Sequence, residues 1–416
     1  MKYFGLDFGT ANTSLAMADE HCTSVLGIEN GEDSMPSTLF FDFEDGAITI
    51  GEAAYENYYL GEPGRFLRSF KSALGTATID HQIRIKRNTY KVSDIIQRYI
   101  GGVLQAAQKI SQHQISSLVV GRPVQFVDDN SEADARAEAS LRKIVQELGV
   151  KNVEFQLEPI AAALNYGVTV SNEETVLVVD IGAGTSDFSV VKFSPQDHSE
   201  MVASQVISNR GIHIGGNDFD GVIALDTVMP HFGYRQRFKR RDDLESPKSF
   251  YLNASAWHKI DLLYDKKVLD SLKELAPQMV RPELVRRLIE VISTRQAHKV
   301  LGAVESIKKN ISDNHSSVIC LPFLRDRLEI EITRSQFEDQ INGMCADIIA
   351  TANLAISDAG LSKNDIDTVY VTGGTMGLAH LQRKVTFEYP TSKIVEGDKT
   401  TAVARGLALD SRRRFA

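Results

Sequence analysis

The sequence predicts a mixed α/β protein of two related lobes, and three observations carry that reading. Short apolar, β-branched runs alternate with stretches of helical periodicity along the chain, as in α/β architecture. A polar turn of the form Asp-apolar-Gly-small-small-polar follows an apolar run twice, at Asp7 and at Asp180, once in each half. At 416 residues the chain also exceeds one compact core, since domains commonly run to about 100–200 residues.

The elements follow in order. Tyr3 to Leu6 is apolar, Asp7 to Asn12 is polar and glycine-bearing, and Thr13 to Ala18 is apolar again, which predicts a hairpin with a polar tip. Val92 to Ile110 places Ile95, Ile96, Tyr99, Ile100, Val103 and Leu104 at helical spacing, and Ser131 to Leu148 is a second helix ended by Gly149. Leu118 to Val124 reads as a buried strand halted at Pro123, and Val153 to Leu157 as another. Thr175 to Val179, the turn Asp180 to Thr185, and Ser189 to Phe193 repeat the opening hairpin. Between Gln236 and Pro282 the dense charges of Arg237 to Asp243 precede an amphipathic stretch from Trp257 to Leu275, which reads as a solvated insertion or a docking site. Asp365 to Val371 returns to strand character before Gly373-Gly374-Thr375, and a helical tail beyond Ala402 ends in Arg412-Arg413-Arg414.

Composition narrows the function classes. Hydrophobic residues at 43% and charged residues at 24% are ordinary globular usage, so the chain can bury cores. A formal charge of −9 argues against a nucleic-acid or anionic-membrane surface. Cys22, Cys320 and Cys345 form no even framework and no Cys-x-x-Cys pair, which fits a reducing cytoplasm. A charge at position seven and the lack of an apolar run near the roughly 18 residues of a membrane span predict a chain neither exported nor membrane-spanning.

The two turns carry the chemistry. Glycine tolerates positive φ and has no Cβ, so a glycine turn at a strand end can aim backbone N–H groups at a phosphate. The preceding Asp supplies a hard oxygen beside that anion. Mg²⁺ keeps most of its waters and takes one or two carboxylates next to phosphates, so facing Asp7 and Asp180, with Asp187 as a further carboxylate, would suit a Mg²⁺-nucleotide. Either turn alone is also what an ordinary hairpin shows; only a facing pair is specific. No Gly-x-x-x-x-Gly-Lys-[Ser/Thr], His-Glu-x-x-His or Gly-x-Ser-x-Gly occurs, which disfavours P-loop enzymes, zinc proteases and serine hydrolases.

Gly5-Leu6-Asp7-Phe8-Gly9-Thr10-Ala11-Asn12-Thr13, Glu158 through Gly167, Asp180-Ile181-Gly182-Ala183-Gly184-Thr185-Ser186-Asp187 and Gly215-Gly216-Asn217-Asp218-Phe219-Asp220 resemble, in this order, the signature segments of the heat shock protein 70 (DnaK) nucleotide-binding domain. With Gly373-Gly374-Thr375 the resemblance spans nearly the whole chain, within the wider actin, sugar kinase and heat shock protein superfamily. It implies an actin-like ATPase fold: lobe I from residues 1–173 and 395–416, lobe II from 174–394 with the insertion near 236–282, and ATP or ADP with Mg²⁺ in a central cleft. By the resemblance Asp7 and Asp180 sit at the magnesium, and Gly9, Thr10, Ala11, Asn12, Gly182, Ala183, Gly184 and Thr185 line the phosphates. Gly215, Gly216, Gly373, Gly374 and Thr375 approach the nucleotide, and Glu305, Lys308, Lys309 and Ser312 match the adenosine-contacting helix. Lys71 falls at the catalytic lysine and Glu158 at the carboxylate beside the attacking water, with Asp180 and Thr185 completing the catalytic set.

Three departures stand against that pattern. Ala11 replaces a second Thr, Ala183 a Gly, and Gly377 an Arg that stacks on adenine, so adenine preference rests on less than phosphate binding does. The family's peptide-binding domain and lid have no counterpart in these 416 residues. The expectation is therefore a slowly hydrolysing, chaperone-like ATP-binding protein with a protein client or co-chaperone. The alternatives are a nucleotide-gated module without hydrolysis and a small-molecule kinase with Asp180 or Asp187 as base.

Overall fold

The computed structural model describes residues 1–80, 82–85, 88–194, 203–311 and 314–416. Two sheets repeat one design. In the first, Asn152–Leu157, Ser117–Arg122, Tyr3–Phe8, Asn12–Ala18 and Thr23–Val25 lie side by side in that order. In the second the order is Lys393–Glu396, Thr368–Thr372, Glu174–Ile181, Ser186–Ser194 and Ala203–Ile212. Both have three parallel strands followed by two antiparallel ones, with the hairpin at the change of sense. The repeat expected from two short turns is thus a repeat of whole sheets.

The buried runs explain these strands. Val176 through Val179 are each at most 1% exposed, as a strand covered on both faces requires. Helix Val92–Ser111 turns Ile95, Ile96, Tyr99, Ile100 and Val103 into a core shared with Phe4, Leu6, Phe8 and Leu15 of the first sheet. Helix Ala402–Phe415 lies directly on strand Tyr3–Phe8, where a Cβ on Gly5 would collide with Leu407 and Ala408. It also crosses helix Glu158–Gly167 with backbones in contact, because Gly406 meets Ala161.

Packing divides the chain into one compact unit of Met1–Gly215, Ile348–Gly377 and Lys384–Ala416, and a second of Gly216–Asp347 with Leu378–Arg383. The lobe boundaries at 173 and 394 are an expectation from the family resemblance, and the division by packing is a separate one. Both sheets, and hence both turns, belong to the first unit.

Some boundaries differ from the sequence reading. Asp7 and Asp180 are strand residues, not turn residues, and the turns begin after them. The strand before Pro123 ends at Arg122, since Pro has no N–H for the ladder. Asp365 closes a capping box with Ser362 instead of starting a strand, which runs from Thr368 to Thr372. In the second unit the Trp257 to Leu275 stretch is broken at Asp265, whose side chain accepts the N–H of Lys267 and caps helix Lys266–Leu275. Arg237 and Lys239 through Asp243 are exposed, and Arg241 pairs with its neighbour Asp243 at 3.1 Å, as a solvated face does.

Candidate functional site: two acidic hairpins and a buried ion pair

Register places the acids. In the first hairpin Asp7 faces Ser14 and Phe8 faces Thr13; in the second Asp180 faces Asp187 and Ile181 faces Ser186. Directly opposed residues share a face of the sheet, so the second hairpin presents two carboxylates together. Gly182 N–H donates to the Thr185 carbonyl at 2.9 Å and closes the second turn.

The two turns meet. A Cβ on Gly184 would lie 2.8 Å from Thr10 Oγ1, so glycine is what lets the second turn approach the first. On its other sides the second turn is enclosed by Gly215, whose Cβ would sit 2.6 Å from Gly184 N and the Ala183 carbonyl, and by Gly373. Gly373 has φ +86°, and a side chain there would strike the Ile181 carbonyl and Asp180 Oδ1. Thr375 Oγ1 donates to the Gly182 carbonyl at 2.7 Å. By contrast, a Cβ on Gly182 would make only an ordinary 3.6 Å contact, and one on Gly374 would meet nothing within 4 Å.

Lys71 and Glu158 come to this place from distant parts of the chain. Lys71 stands on the 3₁₀ turn Phe70–Ala73, whose Phe70 ring packs on Phe8 at 6.2 Å and on Tyr99 at 5.2 Å. Glu158 begins helix Glu158–Gly167, where the helix dipole favours an acid and Pro159 fits the first turn. Lys71 Nζ donates to Glu158 Oε1 at 2.8 Å, with side chains only 8% and 11% exposed.

The balance of charge follows. Burial first, then the charge of Glu158, pushes Asp7 up to about 7 despite Lys71. Burial and Glu158 likewise raise Asp187 to about 7, against the hydrogen bonds it accepts from Val124 and Thr185. Asp180 is raised well above the usual carboxylate range by burial, then by Glu158, Asp187 and Asp7. Burial alone would lower the Lys71 ammonium, but Glu158 and then Asp7 attract it strongly enough to raise it. Four carboxylates therefore share one lysine, and a divalent cation is the group that would stabilise their ionised forms. Among the described residues no three His, Cys, Asp or Glu side chains are arranged to hold a metal directly. Such carboxylates are compatible with an ion like Mg²⁺ that keeps most of its waters and is held largely through water and phosphate.

The remaining sequence candidates lie in the second unit. Gly216 opens helix Gly216–Ile223. On helix Ala297–Asn310, Lys309 pairs with Glu305 at 3.1 Å on the surface. Lys308 turns inward: it pairs with buried Asp220 at 2.8 Å and donates to the Gly216 carbonyl at 2.7 Å, while Trp257 Nε1 donates to the same Asp220 at 3.0 Å. Ser312 lies outside the described residues.

Sequence reasoning missed the supports. The Val124 N–H donates to Asp187 Oδ1 at 2.6 Å, and Arg122, paired with Asp134 at 2.6 Å and Glu138 at 2.7 Å, braces that segment through the Val124 carbonyl. Ser37 holds the first turn through the carbonyls of Gly9 and Ala11. Backbone donors have no sequence signal, and a lone Ser gives none either.

Comparison with known proteins agrees with this geometry. The family model described as Hsp70 protein matches residues 3–251 and 286–412. Two curated relatives, the chaperone protein DnaK of two strains of Halobacterium salinarum, are each 25% identical over 391 residues, covering 92% of this chain and 51% of the relative. The chain thus spans about half the length of these relatives. Two sheets of one design, with their acidic turns brought together, are what the actin-like ATPase fold requires, and with the family match running through both sheets the chain belongs to the Hsp70 family.

Proposed function

We propose that the chain binds Mg²⁺-ATP at the paired turns and hydrolyses it slowly, as an Hsp70-like nucleotide-binding chaperone. The observation that carries the reading is the approach of Gly184 to Thr10, which joins two acid-ended glycine turns into one site. When bound, Mg²⁺ would neutralise phosphate charge. The turn residues Gly9 through Asn12 and Gly182 through Thr185 hold the phosphates through backbone N–H groups and the Thr10 and Thr185 hydroxyls. Lys71 exchanges Glu158 for a phosphate oxygen, placing its charge where negative charge develops. Glu158, released, accepts a hydrogen bond from the attacking water, and Asp180 orients it from the second hairpin. Gly215, Gly216, Gly373, Gly374, Thr375, Glu305, Lys308 and Lys309 are assigned to the nucleotide on the family resemblance.

Calorimetry with Mg²⁺-ATP tests the binding, and no heat of binding by the unaltered chain removes the proposal. Single-turnover hydrolysis tests the chemistry: Lys71→Ala and Glu158→Ala should each slow phosphate release by about 100-fold or more while ATP still binds. The closed Lys71–Glu158 pair favours one second reading, a switch that binds without turnover. Tight ATP binding with no phosphate release would select it. In either case the partner is a protein client or co-chaperone in the cytoplasm, and proteins that co-purify equally with and without nucleotide would argue against that role.

A further inference from the structure

Ser37 belongs to none of the motifs above, yet it is 1% exposed and bound to the first hairpin at three points, two of them in its turn. Its N–H donates to the Ala11 carbonyl at 2.8 Å, its hydroxyl donates to the Gly9 carbonyl at 2.7 Å, and its Oγ lies 2.9 Å from Thr13 Oγ1. A hydroxyl has one proton, so with Ser37 donating to Gly9 it is Thr13 that donates to Ser37. The segment bearing Ser37 is itself anchored, since Met35–Pro36 pairs with Asn12 and Thr13 and the buried Tyr99 hydroxyl donates to the Pro36 carbonyl at 3.0 Å.

The consequence follows from the peptide unit. In a trans peptide the C=O and the following N–H point in opposite directions, and the described chain has no cis peptide bond. Drawing the Gly9 and Ala11 oxygens toward Ser37 therefore turns the N–H groups of Thr10 and Asn12 the other way. Two N–H groups of one turn held on the same side can both donate to one anion.

We propose that Ser37 is a positioning residue for the phosphate site: it fixes the carbonyl side of the first turn so that the Thr10 and Asn12 N–H groups stand ready for a phosphate oxygen. This rests on the nucleotide-binding reading above. The test is calorimetry of the whole chain with Mg²⁺-ATP and with Mg²⁺-pyrophosphate. Ser37→Ala keeps the N–H bond to Ala11 but frees Gly9, and should raise both dissociation constants about tenfold with unchanged stoichiometry. Ser37→Thr keeps the hydroxyl and should recover binding to within about threefold of the unaltered chain. A merely structural role would instead lower the stoichiometry and leave the dissociation constants alone, and that result, or equal constants for Ser37→Ala and the unaltered chain, overturns the inference. If Ser37→Ala does not fold, Ser37→Cys, similar in volume with a weaker donor, should lose at least about threefold, and no loss overturns it equally. Failure of the unaltered chain to bind either ligand removes the nucleotide reading itself, a separate outcome.

Discussion

The two hairpins end in the same Asp-apolar-Gly pattern but are held in different ways. The first turn borrows its support from outside, through Ser37 and the strand beside it. The second closes on itself through Gly182 and Thr185, and the chain packs round it at Gly215, Gly373 and Thr375. The acids differ too: Asp7 faces a serine, whereas Asp180 faces another carboxylate. A shared motif therefore specifies where the acids stand, and the surroundings specify how rigidly.

That contrast predicts unequal responses to the same substitution. Gly373→Ala should be the most damaging, because positive φ and collision with the central strand at Ile181 leave nothing able to move; a loss of about 3 kcal/mol in denaturant unfolding is expected. Gly9→Ala also collides, with the Asn12 carbonyl, but within its own turn, which can relax; a loss nearer about 1–2 kcal/mol is expected. Equal losses would show that both turns are equally rigid.

Charge acts on both hairpins alike. Asp7 and Asp187 ionise near 7 in the fold against a usual 3.8, so between about pH 4 and 7 the native state holds protons that the unfolded chain has released. Metal-free stability should then fall as pH rises through that window, and Mg²⁺ should restore it at pH 8. Asp187→Asn removes one of the repelling charges and should stabilise the metal-free protein at pH 8 by on the order of 1 kcal/mol, with no gain at pH 5. Melting temperatures that are flat from pH 5 to 8 would contradict this. The smallest effect is expected for Gly182→Ala, where an added Cβ has room; its melting temperature should stay within about 2 °C of the unaltered chain, and a larger drop would show that the second turn tolerates no added volume.

Much of this was legible in the sequence because the strands and acids carry local signals. Asp7, Asp180 and their turns announce themselves by an apolar run, an acid and glycines in order, and the helix from Val92 shows its buried face by period alone. What was illegible depends on distance along the chain. The Lys71–Glu158 pair joins residues 87 apart, and only a family resemblance connected them. The family resemblance put Lys308 and Lys309 on one helix with Glu305, yet the buried carboxylate of Asp220 draws Lys308 inward while Lys309 stays at the surface, a choice made by a partner on another helix. The break at Asp265 was hidden for another reason: its amphipathic period continues on both sides, and only the cap shows that one helix has stopped and another begun.

The hold of Ser37 on two main-chain oxygens has a consequence for how the first turn can vary. On the proposed reading the peptide group at position 11 is what counts, and every residue except proline carries one, so the side chain there is free to drift as long as the serine beneath it remains, whereas position 9 has no room for a Cβ beside the Asn12 carbonyl. Alanine at position 11, lacking the hydroxyl expected of the family, then removes an ornament of the cradle and not its frame.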